Sequence, residues 1–220
     1  MHSMTKWPFV LVALAVLMGC AAPPARNTPS PTFTTAPTAT STPAATAAPE
    51  PEANDLWAAM REGTGYVVLL RHALTTPGTG DPDGFMLTDC GTQRNLSDEG
   101  RAQSAQIGAA FRRRAIPIAQ VLSSQYCRCL DTARLLNLGE VIEAPMLNSF
   151  FEDRSAEPAQ TAQVREAMLA HREQAGVVIM VTHMVNITAV SSVVPRMGGA
   201  VVMRANADGG LEVAGELRDW

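Results

Sequence analysis

Apolar and polar positions divide this chain into segments of different period. Tyr66 to Leu70, Ile118 to Leu122 and Val177 to Val181 are short, largely apolar runs with β-branched residues. Such runs suit strands buried on both faces of a parallel sheet. A weaker strand is read through Val141 and Ile142. Between the runs the spacing becomes helical. Ser97 can cap a helix whose first turn holds Asp98 and Glu99, and Ile107, Ala110 and Phe111 then share one face. A second helix is expected to start near Tyr126 and stop before Gly139. A third is expected from Pro158, with Val164, Ala167 and Met168 on one stripe and Gly176 closing it. Ala200 to Met203 and Leu211 to Leu217, joined by Asp208-Gly209-Gly210, read as a hairpin. This alternation predicts an α/β layered domain. In such sheets ligands bind at the carboxyl ends of the strands, so residues just after strands carry the functional interest.

The first 53 residues follow other rules. Lys6 precedes an apolar run, Phe9 to Met18, that is too short to span a bilayer comfortably, so residues 1–19 read as a targeting segment. Leu17-Met18-Gly19-Cys20 resembles the bacterial lipobox. That resemblance implies cleavage before Cys20 and acylation of the new N-terminal cysteine; an ordinary signal peptide is the alternative. Each buried methylene of such an anchor adds ~0.8 kcal/mol, so several chains hold firmly. Residues 20–53 are rich in Pro, Thr and Ala and cannot bury enough apolar surface to fold, which makes them an extended tether. Residues 54–220 are long enough for one domain with a core. The expected location is extracytoplasmic, lipid-anchored to a membrane of the bacterial cell envelope. The formal net charge of −4 carries no nucleic-acid footprint.

Four basic side chains and several hydroxyls follow predicted strands. Arg71 and His72 follow the first, Ser123 and Ser124 another with Arg128 just beyond, and Thr182 and His183 a third. Four local strings then resemble the histidine phosphatase superfamily in its family order. Arg71-His72-Ala73-Leu74-Thr75 stands for Arg-His-Gly-x-Ser/Thr. Leu96-Ser97-Asp98-Glu99-Gly100 opens the following helix. Ser123-Ser124-Gln125-Tyr126-Cys127-Arg128 leads to Thr132-Ala133, and Thr182-His183 is the late element. The resemblance implies a three-layer α/β/α sandwich with a mostly parallel central sheet, like phosphoglycerate mutase. It implies His72 as nucleophile forming a phosphohistidine, Arg71 and Arg128 as phosphate ligands, and His183 as a further donor. Thr75 is read evenly as a phosphate-binding hydroxyl or a plain loop hydroxyl. The implied activity is hydrolysis of small phosphomonoesters, with arginines and histidines in place of a metal and with no cofactor. A non-catalytic phosphate or phosphoglycan binding module is the alternative. A narrower form of the enzyme reading remodels phosphates on surface polysaccharide or lipid.

Two departures stand out. Ala73 replaces the family glycine. Neither family position for the general acid holds one: Ser149 follows Leu147-Asn148, and Met184 follows His183. Glu152, beside Phe150 and Phe151, is the first candidate acid. Asp153 is second, and Asp81, Asp83 and Asp89 follow. His171 falls on the Val164–Met168 stripe and reads as structural. Outside the cytoplasm a cysteine pair should oxidise. Cys90–Cys127 is the expected disulfide, with Cys129 the competing partner of Cys90.

Overall fold

Strand β1 (Tyr66–Arg71) shows why this sequence folds as layers. Its side chains alternate between two separate cores, Tyr66, Val68 and Leu70 on one face and Val67 and Leu69 on the other. The computed structural model describes residues 53–220. The targeting segment 1–19, Cys20 and residues 21–52 of the expected tether lie outside the described residues. After the first helix, α1 (Ala53–Glu62), and β1 come α2 (Asp98–Arg113), β2 (Ile118–Ser123), α3 (Cys127–Leu136), β3 (Val141–Glu143) and α4 (Glu157–Ala170). β4 (Val177–Thr182), α5 (Met184–Ser191), β5 (Ala200–Ala205) and β6 (Leu211–Leu217) complete the domain.

The described strands form one mixed sheet of order β3-β2-β4-β1-β5-β6. β1, β2, β3 and β4 run parallel, whereas β5 and β6 pair antiparallel at the other edge. Leu56, Trp57 and Met60 of α1, Ile107 and Phe111 of α2, and Ala133 and Leu136 of α3 cover one face. Val164 and Met168 of α4 and Ile187 and Val190 of α5 cover the other. The architecture is the three-layer sandwich with a mostly parallel centre.

Local chemistry explains most boundaries and corrects one. Ser97 caps α2, its hydroxyl accepting from the Gly100 N–H. α3 starts just after Tyr126 and stops at Leu136, before Gly139 as expected, with Asn137 in the left-handed conformation at φ 51°. α4 stops at Ala170 with His171 as its cap, and Gly176, at φ +81°, makes the turn into β4 instead. His171 is buried and its Nε2 hydrogen-bonds the Gly176 carbonyl (2.8 Å), a structural place. α1 begins at Ala53, a helix that the sequence reading did not name. That helix was missed because the alanine-rich tether composition runs directly into it.

Two helix contacts admit no side chain. A Cβ on Gly108 would lie 1.8 Å from the Leu136 carbonyl oxygen, and one on Gly100 1.8 Å from that of Leu74. The second contact matters for chemistry, because Leu74 lies two residues after His72. Gly100→Ala is expected to destabilise the protein by about 3 kcal/mol through overpacking. A lowered urea midpoint measures this, and an unchanged midpoint would show that the Leu74 loop yields without cost.

Candidate active site

Three parallel strands deliver the site. The His72 N–H donates to the Thr182 carbonyl (3.0 Å) and the Ser124 N–H to the Val181 carbonyl (2.9 Å), so the ends of β1, β2 and β4 are laced together. His72 and His183 therefore emerge side by side, their rings 5.5 Å apart in an edge-to-face arrangement. His72 Nδ1 lies 2.9 Å from the Ala73 carbonyl oxygen. A carbonyl only accepts, so Nδ1 carries the proton and Nε2 keeps its lone pair. Burial, then the positive field of Arg128, push the His72 pKa down to about 3. The imidazole is neutral at physiological pH, with the Nε2 lone pair unprotonated.

Ala73 is fully buried, its N–H donates to the Thr132 hydroxyl (3.1 Å), and its φ is not positive. Alanine therefore occupies the family glycine position without strain. Thr132 in turn donates to the Arg128 carbonyl (2.7 Å), which ties the nucleophile loop to α3.

Arg71, Arg94 and Arg128 line one cleft with both histidines. Arg71 Nη1 donates to the Pro195 carbonyl (2.9 Å), and burial followed by its two arginine neighbours lowers its pKa. Arg128 Nη1 donates to both carboxylate oxygens of Asp81 (2.8 and 3.0 Å), and its guanidinium lies 4.6 Å from the Tyr126 ring centroid. Arg94 Nη1 donates to the Gly78 carbonyl (2.6 Å), while its backbone N–H donates to Asp81 (2.9 Å). The Nε of all three arginines is buried without a protein partner. Such a set of convergent donors suits a multiply charged oxyanion.

Arg94 and Asp81 come from the loop 76–95, and side-chain to backbone bonds shape that loop. The Gln93 amide nitrogen donates to the Met86 and Leu87 carbonyls, and its oxygen accepts from the Cys127 N–H at the start of α3 (2.9 Å). Cys90 and Cys127 form a disulfide with Cα atoms 5.7 Å apart. Closing that 37-residue separation is worth about 4 kcal/mol on the chain-entropy account. Cys129 is the buried free thiol, its pKa pushed up to about 12 by burial.

The remaining wall comes from the segment after β3. Asn148 fixes it. Its Oδ1 accepts from the Ser124 hydroxyl (3.1 Å) and the Gln125 N–H (2.8 Å), and its carbonyl accepts from Asn186 of α5 (2.8 Å). Ser149, Phe151 and Glu152 then line the cleft opposite the loop. Ser124 Oγ also lies 2.9 Å from His183 Nε2, and Arg128 Nη2 is 3.4 Å from His183 Nδ1. An arginine only donates, so in this arrangement Nδ1 accepts and Nε2–H points at Ser124. Burial, then Arg128, hold the His183 pKa well below its ordinary value.

Among the other sequence candidates, Thr75 does not line the cleft; its hydroxyl lies 3.7 Å from the Met197 sulfur. Asp153 turns back to Ser155, and Asp89 accepts from the Gly91 N–H. Asp83 is exposed and also lies outside the cleft lining. Arg94, Asn148 and Tyr126 were not singled out by sequence. Asn148 at least stood in the string that misses the family acid.

The arrangement defines a class: an α/β domain holding an oxyanion-sized cleft between two neutral histidines and three arginines. Residues 67–152 match the model of the histidine phosphatase superfamily (branch 1). The chain is similar in fold to the protein histidine phosphatase SixA complexed with tungstate, at 13% identity and TM-score 0.50, covering 70% of this chain and 96% of that one. It is similar to a mutant phosphoserine phosphatase from Entamoeba histolytica in complex with phosphoserine (13%, TM-score 0.50, covering 69% and 95%). It is also similar to mycobacterial hydrolase 1 (15%, TM-score 0.50, covering 67% and 95%). No curated protein sequence matches the chain. The likeness to that family spans residues 67–152 and takes in Arg71, His72 and Arg128.

The lowered histidine pKa values set a pH dependence. An unfolded histidine binds a proton near its ordinary pKa of 6.5, whereas folded His72 does so only near 3. Between these values the unfolded state holds more protons, so stability should fall as pH drops from about 6.5 toward 3. His183 adds to the same trend. Thermal melts across this range should show a shallower decline for His72→Gln than for the native chain. Parallel declines would place the titrating groups elsewhere.

Proposed function

We propose that this protein is an extracytoplasmic phosphatase that hydrolyses small phosphomonoesters through a phosphohistidine on His72 Nε2. The observation that carries the reading is a neutral imidazole with its Nδ1 proton committed to Ala73, beside Arg71, Arg94, Arg128 and His183. Arg71 and Arg128 hold the equatorial phosphoryl oxygens, where the transition state spreads its charge. Nε2 forms a bond to phosphorus as the ester bond breaks, and the leaving oxygen takes a proton from Glu152. Water then attacks phosphorus, Glu152 receives its proton, and inorganic phosphate leaves with the imidazole restored. His183 supplies a hydrogen bond to the phosphoryl group once its tautomer changes, with Ser124 able to reverse its own bond. The reading assigns charge neutralisation to the arginines and needs no metal. The same fold in SixA accommodates tungstate, an oxyanion of phosphate shape.

The Cys90–Cys127 disulfide supports an oxidising compartment. Lipidation of Cys20 and tethering to the cell envelope membrane complete the proposal; both fall outside the described residues. Substrates would then be phosphorylated molecules met outside the cytoplasm.

Two experiments test the chemistry. The full chain, incubated with labelled phosphoester and quenched, should yield an acid-labile, alkali-stable phosphohistidine, and His72→Ala should lose both label and turnover. Label retained in His72→Ala would move the nucleophile elsewhere. Glu152→Gln should slow ethyl phosphate hydrolysis by about 10²–10⁴-fold while slowing nitrophenyl phosphate far less, since a good leaving group needs little acid. Equal losses on both esters would assign Glu152 to binding instead.

A further inference from the structure

We infer that Asp81 is a positioning residue, acting on phosphoryl transfer through Arg128. The inference rests on the cleft being the phosphotransfer site proposed above. Both carboxylate oxygens of Asp81 accept from Arg128 Nη1, and Oδ1 also accepts from the Arg94 N–H. The two side chains are each 4% exposed, so this is a buried ion pair, bridging 47 positions of sequence. A guanidinium offers two forked edges, one made by Nη1 and Nη2 and the other by Nε and Nη2. Asp81 takes Nη1 and thereby the first edge. The second edge is left: Nε has no protein partner, and Nη2 lies on the His183 side, 3.4 Å from Nδ1. The Tyr126 ring fixes the plane of the guanidinium from below. Asp81 therefore selects which edge of Arg128 meets the phosphoryl group and holds it there before substrate arrives.

Two other roles for a carboxylate here are a proton donor and an internal anion that competes with phosphate for Arg128. The first fits poorly, because its oxygens already accept three hydrogen bonds, from two donor nitrogens. The second requires phosphate to take the Nη1 edge, which Asp81 already holds, whereas Nε has no protein partner.

Inorganic phosphate binding to the full chain, measured by calorimetry, separates the three. Asp81→Asn should weaken it about 10- to 100-fold, the range for losing a charged hydrogen-bond partner. kcat/KM should fall by one common factor on ethyl and nitrophenyl phosphate. Asp81→Glu, which keeps the charge, should recover part of the affinity. In an Arg128→Lys background Asp81→Asn should cost little more, because the pair acts as a unit. Tighter phosphate binding in Asp81→Asn would establish competition and overturn positioning. A loss confined to ethyl phosphate would make Asp81 the acid. Unchanged affinity and turnover would remove it from the reaction. If the native chain forms no phosphohistidine, the enzymatic reading fails, yet weakened phosphate binding in Asp81→Asn would still establish the positioning.

Discussion

Crowded positive charge is the constraint to which this site is built. Arg71, Arg94 and Arg128 share one cleft, and each depresses the pKa of both histidines there. Apolar packing cannot relieve such repulsion. It is relieved by fixed partners instead: the Pro195 and Gly78 carbonyls, the Tyr126 ring face and the Asp81 carboxylate. Each partner satisfies one part of a guanidinium and leaves another part unused. The donors these partners leave unused are of the kind that suits a multiply charged oxyanion.

The same field that suits an anion also keeps an imidazole lone pair free beside it. Burial and positive neighbours keep His72 unprotonated, and the Ala73 carbonyl decides which nitrogen holds the remaining proton. Stability and chemistry therefore pull in opposite directions at low pH, where the unfolded chain binds protons that folded His72 refuses. The sheet supports this cost. β1 and β4 lie at its centre, buried on both faces, and their ends carry the two histidines.

Much of this was legible because it is local. The doubly buried strands announce themselves as apolar runs, and the residues just beyond them are the ones a parallel sheet gathers. His72, Arg71, Arg128 and His183 could be named from that rule together with the family strings. What escaped lies where no period exists. The loop 76–95 carries mostly polar and small residues, and nothing in its composition says that Asp81 and Arg94 fold back onto the cleft. The Thr75 hydroxyl was read from the string alone, yet the short bridge between Thr75 and Leu96 belongs to backbone pairing, which a string does not reveal. α3 stops before Gly139 as its sequence suggests, and Asn137 makes that stop because asparagine tolerates the left-handed conformation.

The loop also explains where the disulfide sits. A segment with exposed Met86 and Leu87 buries too little apolar surface to hold a shape. Its many polar bonds are individually modest, since each replaces a bond to water. Yet this segment must place a carboxylate within hydrogen-bonding distance of Arg128 and a second guanidinium in the same cleft. The Cys90–Cys127 link removes much of the loop's freedom in the unfolded chain and attaches it one residue before Arg128. The covalent tie therefore falls where positional error would cost most, between the two segments whose charges must meet. A protein that relied on this link would function best where thiols stay oxidised, and the proposed export through the N-terminal segment supplies that condition.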